Sequence, residues 1–189
     1  MPMSFIKRAA LSVKSLLMAL TVAAAPAFAG QGILNTVDGI AMDGFDVMSY
    51  HLAFRPAKGS PEFSAEYRGA TWLFSSAENR DKFMSDPAKY EPKYNGWCSM
   101  AVAKGYSAEV DFVEGWAVID GNLHLAWAES TMNKFLAEQN INRVRADDNW
   151  VGKIRDGMGT DAVRFVRHEE LFDRFPISHP QPLPEHSKY

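Results

Sequence analysis

Cys98, the only cysteine in the chain, stands two residues before Met100, and a thiolate beside a thioether is the soft donor pair that favours Cu(I) over harder ions. A copper ion is therefore the cofactor this pair points to, although the sequence establishes none. Two donors do not close a site, so a third would have to arrive through the fold from His51, His124 or another methionine. The competing reading is packing. Free cysteine is among the most buried residue types, so Cys98 can pack on Trp97 while Met100 fills a gap in the core. Packing is the favoured reading. A reactive thiol and an intermolecular disulfide also stay open for an unpaired cysteine.

Catalytic signatures are missing. The sequence has no Gly-x-Ser-x-Gly elbow, no His-Glu-x-x-His, no phosphate-binding Gly-x-x-x-x-Gly-Lys, no Gly-x-Gly-x-x-Gly and no Cys-x-x-Cys-His. A Cys98/His pair acting on an ester or thioester needs only a base beside the thiol, but nothing in the spacing argues for one. The sequence leans away from an enzyme without excluding it.

The elements that position these residues read as follows. Asp38 to Tyr50 carries Gly39 and Gly44 between short apolar stretches, which predicts turns leading into a strand near Val47 to Leu52. Phe63 to Tyr67 and Thr71 to Phe74 flank Arg68-Gly69-Ala70 as a β-hairpin. Ser75, three residues ahead of Glu78, predicts a helix cap, with the helix ending near Ser85 to Asp86 before Pro87 and Phe83 on its inner face. Trp97 to Lys104 is expected to be helical and to stop at Gly105. A second hairpin runs from Trp116 to Ile119, turns through Asp120-Gly121 and returns from Asn122 to Trp127. On that return strand His124 alternates with Leu123, Leu125 and Trp127, so it is expected on the opposite side from them, towards solvent.

Ser130 or Thr131 should open a helical region that continues with a break towards Arg155. Thr160 to Phe175 is read as an amphipathic helix anchored by Val163, Val166 and Phe172, making 151–175 a helical C-terminal extension. Residues 176–189 are proline-rich and read as a mobile tail. His179 and His186 in that tail are weak metal candidates, and His168 is weaker than His51. Two hairpins among segregated helices give an α+β fold in one small domain. Its dense aromatic set (Tyr50, Tyr67, Trp72, Tyr90, Tyr94, Trp97 and Tyr106) suits a core, and could also line a small-ligand cleft.

Residues 1–29 differ from the rest. Lys7, Arg8 and Lys14 come before the apolar run Leu16 to Ala25, which ends at Ala27-Phe28-Ala29 in the manner of a signal peptide cleaved after Ala29. The mature protein is then expected to be soluble, and periplasmic or secreted. Cleavage removes three positive charges from a chain of formal net charge −3, leaving −6. That acidic balance argues against nucleic acid or anionic lipid as partner. No later stretch approaches the ~18 uninterrupted apolar residues that read as a membrane span.

The segment Tyr67-Arg-Gly-Ala-Thr-Trp-Leu-Phe-Ser-Ser-Ala-Glu-Asn-Arg-Asp-Lys-Phe-Met-Ser-Asp-Pro-Ala-Lys-Tyr90 resembles the YHS domain. The YHS pattern is a Tyr-x-Gly hairpin, an aromatic strand, Phe-Cys-Ser-x-x-Cys, then a Phe, a Pro and a Tyr. Tyr67, Gly69, Phe74, Ser76, Phe83, Pro87 and Tyr90 fall on it. A wider resemblance to exported YHS-domain proteins covers about residues 38–150. It rests on Gly44-Phe-Asp-Val-Met-Ser-Tyr50, Lys58-Gly-Ser-Pro-Glu-Phe63, Tyr94-Asn-Gly-Trp-Cys98, Val102-Ala-Lys-Gly-Tyr106 and Ala146-Asp-Asp-Asn-Trp150. His51 directly follows one of these blocks, which makes it the preferred histidine.

The resemblance implies metal handling, since YHS domains also occur beside copper-transporting ATPases and their paired cysteines are suspected ligands. Here Ser75 and Asn79 stand at those two positions, and neither supplies a thiolate. Ser75 reads as a helix cap and Asn79 as a first-turn polar residue. Three functions follow in order. The first is an exported binding domain taking a metal ion or small ligand near Cys98, Met100 and His51. The second is a metal-free structural or interaction module with a partner in the cell envelope, and the third a thiol-dependent enzyme.

Overall fold

The computed structural model describes residues 32–158 and 163–167. The expected signal peptide, His168, Phe172, His179, His186 and the tail at 176–189 lie outside the described residues. The fold is α+β, as the patterning predicts. Four strands form the larger sheet in the order β1 (Thr36–Val37), β2 (Ile40–Ala41), β4 (Ala70–Phe74) and β3 (Ser60–Tyr67). The β3–β4 hairpin is antiparallel, with a register irregularity between Ser60 and Ser64. Gly59 is needed just before it, because a Cβ there would run into the backbone of Leu73.

The first departure from expectation is α1 (Val47–Leu52), a helix where the apolar run predicted a strand. Asp46 decides it. Its carboxylate accepts the Met48 amide at 2.9 Å, the side-chain cap that starts a helix. Val47, Met48, Ser49 and Tyr50 are all buried, so the run has none of the alternation of a half-buried strand.

Helix α2 (Ala77–Ser85) ends where Pro87 predicts, but its cap is Ser76, whose hydroxyl accepts the Asn79 amide at 3.1 Å. Ser75 has another task, described below. Phe83 is fully buried and stacks on Trp72 with ring centroids 4.9 Å apart, and the edge of Tyr67 closes the cluster at 5.7 Å. Complete burial of one such side chain contributes about 1.5–3 kcal/mol. This aromatic cluster joins the sheet to α2.

The second half begins at α3 (Pro87–Tyr90), followed by α4 (Ser99–Ala103), which starts later than expected and leaves Trp97 and Cys98 extended. Gly105 takes the left-handed conformation predicted for it, with φ +85°. The hairpin β6 (Trp116–Ile119) and β7 (Asn122–Leu125) has the expected register, and Asp120 and Gly121 have φ of 50° and 78° as a type I′ turn requires. Helix α5 (Glu129–Ala137) opens at Glu129, ahead of the Ser130 or Thr131 start expected, with no side-chain cap at Ala128. A break at Glu138 separates it from α6 (Gln139–Asn149), whose last turn widens into a π-turn over Trp150–Ile154.

The C-terminal extension corrects the sequence reading. Helical structure continues to Gly157, but Phe165–Val166 is a strand, β8, paired in parallel with β5 (Ser107–Ala108). An exposed edge decided this. The Ser107 amide donates to the Arg164 carbonyl at 3.0 Å and the Glu109 amide to the Val166 carbonyl at 3.2 Å, satisfying donors that a helix over these residues would leave open. Among the described residues no helix is long and apolar enough to cross a membrane.

Candidate functional site

Three successive left-handed residues, Tyr94, Asn95 and Gly96 with φ of 54°, 55° and 81°, turn the chain into the extended pair Trp97-Cys98. Only Gly96 adopts that conformation without steric cost. The Cys98 amide then donates to the Ala108 carbonyl at 3.1 Å, and its carbonyl accepts the Val102 amide at 3.0 Å. Cys98 also forms a parallel bridge with Leu125. The thiol is thus pinned between β5 and β7 at the entry of α4.

That thiol lines a cavity of about 170 Å³ together with Met100, Ala101, Lys104, Tyr106, Ala108, Trp127, Thr131, Lys134 and Val166. The lining combines apolar side chains with Tyr106, Thr131 and Trp127, and two exposed lysines, Lys104 and Lys134, are among its residues. Burial pushes the Cys98 thiol above its ordinary range. Backbone N–H groups of Ala101, Trp127 and Met100 and the Lys104 ammonium pull the other way and are outweighed. Burial also raises the Tyr106 phenol, with the neighbouring Cys98 adding to the shift. The thiol is therefore close enough to interact with both the Lys104 ammonium and the Tyr106 phenol, and thiol and phenol stay protonated near neutrality.

Cys98 and Met100 share this cavity as expected, whereas His51 does not line it. The His51 Nε2 donates to the Tyr90 carbonyl at 3.1 Å and its ring packs edge-on against Tyr90. Burial lowers its pKa, the Tyr90 carbonyl opposes that, and Lys89 adds to it. Among the described residues, no group of three or more His, Cys, Asp or Glu side chains is placed to hold a metal ion. Two sulfur-bearing residues with no histidine beside them, and with two lysines in the same lining, are a poor fit for a closed Cu(I) site.

The two positions at which the YHS pattern carries cysteines are occupied differently here. Asp46 is completely buried, and its Oδ2 accepts the Ser75 hydroxyl at 2.6 Å, the Asn79 side-chain amide at 2.6 Å and the Ser75 backbone amide at 2.9 Å. Asn79 Nδ2 also donates to Ser75 Oγ at 3.1 Å. Both side chains thus tie α2 to the start of α1. Ser75 is not the helix cap, and Asn79 does more than occupy a first turn. The donors are committed to Asp46, so these residues do not fit the metal that the resemblance implies.

His124 is 1% exposed, contrary to the outward placement expected for it. Both faces of β7 are covered over Leu123–Leu125. The His124 ring packs on Phe135 of α5 at 5.3 Å and on Tyr94 at 5.8 Å. Its Nδ1 lies 3.1 Å from Ser99 Oγ, the spacing of a nucleophile and its base. Both residues are buried, however, so the pair presents no surface to a substrate. Burial lowers the His124 pKa to about 4, assisted by the charges of Lys93 and Arg143, so the ring is neutral.

A larger groove of about 590 Å³ lies between β1, Trp97 and β8, with Asp43, Glu109 and Arg167 on its walls. It is wider and more open than the Cys98 cavity, and its charges of both signs single out no ligand. Lys104, Tyr106, Trp127 and Lys134 are the site residues that sequence reasoning missed as a set. Tyr106 stands out as one of several aromatics, but nothing in the spacing of the lysines signals that α4 and α5 bring them together. No family model, curated protein or solved structure matches this chain.

Proposed function

We propose that the protein is an exported, non-catalytic binding domain of the YHS type, and that it holds a small carboxylate-bearing molecule in the Cys98 cavity. The observation that carries this is the convergence of Cys98, Tyr106, Lys104 and Lys134 on one cavity of about 170 Å³. An apolar floor accepts a short carbon body, while ammonium and hydroxyl groups at the walls supply charge-assisted hydrogen bonds to a carboxylate. A thiol held protonated by burial suits a wall residue better than a nucleophile. Export rests on the make-up of residues 1–29.

Isothermal titration of the mature protein with acetate, pyruvate and butanoate tests the proposal. Saturable binding is expected for at least one, weakened about tenfold or more in Lys104→Glu or Lys134→Glu. Binding by none of them, or binding indifferent to both substitutions, overturns it.

A second reading, a Cu(I) carrier, is favoured by the shared position of Cys98 and Met100 on the same cavity. Anaerobic Cu(I) titration giving near-stoichiometric metal that is lost in Cys98→Ser would move the assignment there. Failure of both titrations favours an envelope interaction module.

A further inference from the structure

We infer that residues 163–167 are a strap that closes the Cys98 cavity and lifts to open it, a form of regulation that rests on the cavity being the ligand seat. Strand β5 is gripped from two sides. On one side Cys98 donates its amide to Ala108; on the other, Ser107 and Glu109 donate theirs to Arg164 and Val166 of the strap. The first grip belongs to the body of the domain, where Cys98 also bridges β7. The second is a two-residue parallel pairing at a sheet edge.

One strap side chain reaches the site directly, and its neighbour anchors the strap to the body of the domain. Val166, 7% exposed, forms part of the cavity wall beside Cys98. Phe165 sets the edge of its ring against Trp97 at 5.2 Å. Strand addition of this kind takes affinity from backbone bonds and specificity from alternate side chains in pockets. So short a pairing opens locally at a free-energy cost well below that of global unfolding. When it opens, the cavity loses the wall supplied by Val166, while the walls supplied by α4 and α5 keep their own bonds.

The test uses the full-length protein without ligand. Amide hydrogen exchange at neutral pH should show Ser107 and Glu109 exchanging at least tenfold faster than Ala117 and His124, a hydrogen-bonded pair of the hairpin. Alkylation of Cys98 by iodoacetamide should be at least tenfold faster in Phe165→Ala/Val166→Ala than in the wild type, with protection of the hairpin amides unchanged. If Ser107 and Glu109 exchange only at the rate of the hairpin, the strap does not open and the inference is wrong. It is equally wrong if the double variant keeps its hairpin protection and alkylates at the wild-type rate. Neither readout involves a carboxylate, so failure of the ligand assignment and failure of the strap are distinguishable.

Discussion

The side-chain amide of Asn79 donates to the buried carboxylate of Asp46 at 2.6 Å, across thirty-three positions of sequence and from one helix to the next. With Ser75 on the same oxygen, one carboxylate fixes the angle between α1 and α2 and caps α1 as well. Asp46→Ala leaves the buried Met48 amide, the half-buried Asn79 amide and the donors of the exposed Ser75 without their acceptor. Hydrogen bonds to a charged group are worth about 1.5–3 kcal/mol each and do not add fully, so a total loss of about 3–5 kcal/mol in urea-unfolding free energy is expected. A loss below about 1 kcal/mol would contradict this account of the node.

His124 sets a pH dependence. Its pKa is about 4 in the fold against 6.5 when free, so the unfolded chain binds the extra proton between those values. The stability contributed is therefore fully present above pH 6.5 and is lost as pH falls towards 4, by an amount on the order of 3 kcal/mol. In His124→Gln, which still offers Ser99 an acceptor, the decline in stability from pH 7 to pH 4 should be shallower than in the wild type. Equal slopes would show that His124 is not the group responsible.

Phe83 closes the aromatic cluster with Trp72, Phe74 and Tyr67. Phe83→Ala should cost about 3–5 kcal/mol by denaturant titration, and Phe83→Leu markedly less. Equal costs would mean that ring stacking, not filled volume, governs this contact.

The Tyr94 hydroxyl reaches Asp147 of α6 at 3.0 Å, and burial followed by the Asp147 charge raises its pKa. Tyr94→Phe keeps the ring against His124 and removes only that bond, so about 1 kcal/mol should be lost. If Asp147→Ala and the double variant each cost as much as Tyr94→Phe, the bond itself is the interaction measured.

Local chemistry was legible in the sequence wherever it was decided locally. The Asp120-Gly121 pair specifies its turn, Pro87 stops α2, and Gly105 ends α4, because each is a steric fact about a few residues. Val47 to Leu52 misleads because a short apolar run fits a strand or a buried helix equally, and the deciding carboxylate of Asp46 belongs to a cap. His124 misleads because alternation predicts which side a residue faces and not whether α5 covers that side. The strand at Phe165 depends on a free edge at Ser107–Ala108, which no local pattern near residue 165 announces. The pairing of Cys98 with Met100 was visible, but Lys104 and Lys134 join them in one cavity lining only through packing of α4 against α5.

The most direct measurement of the central claim is an amide-proton NMR titration of the mature protein with whichever short carboxylate binds most tightly by calorimetry. The account predicts saturable shifts concentrated at Cys98, Ala101, Tyr106 and Trp127, with the amides of β3 and β4 unmoved. Shifts centred instead on the wider groove near Asp43 and Phe112, or none at saturation, would contradict the assignment of the Cys98 cavity as the ligand seat.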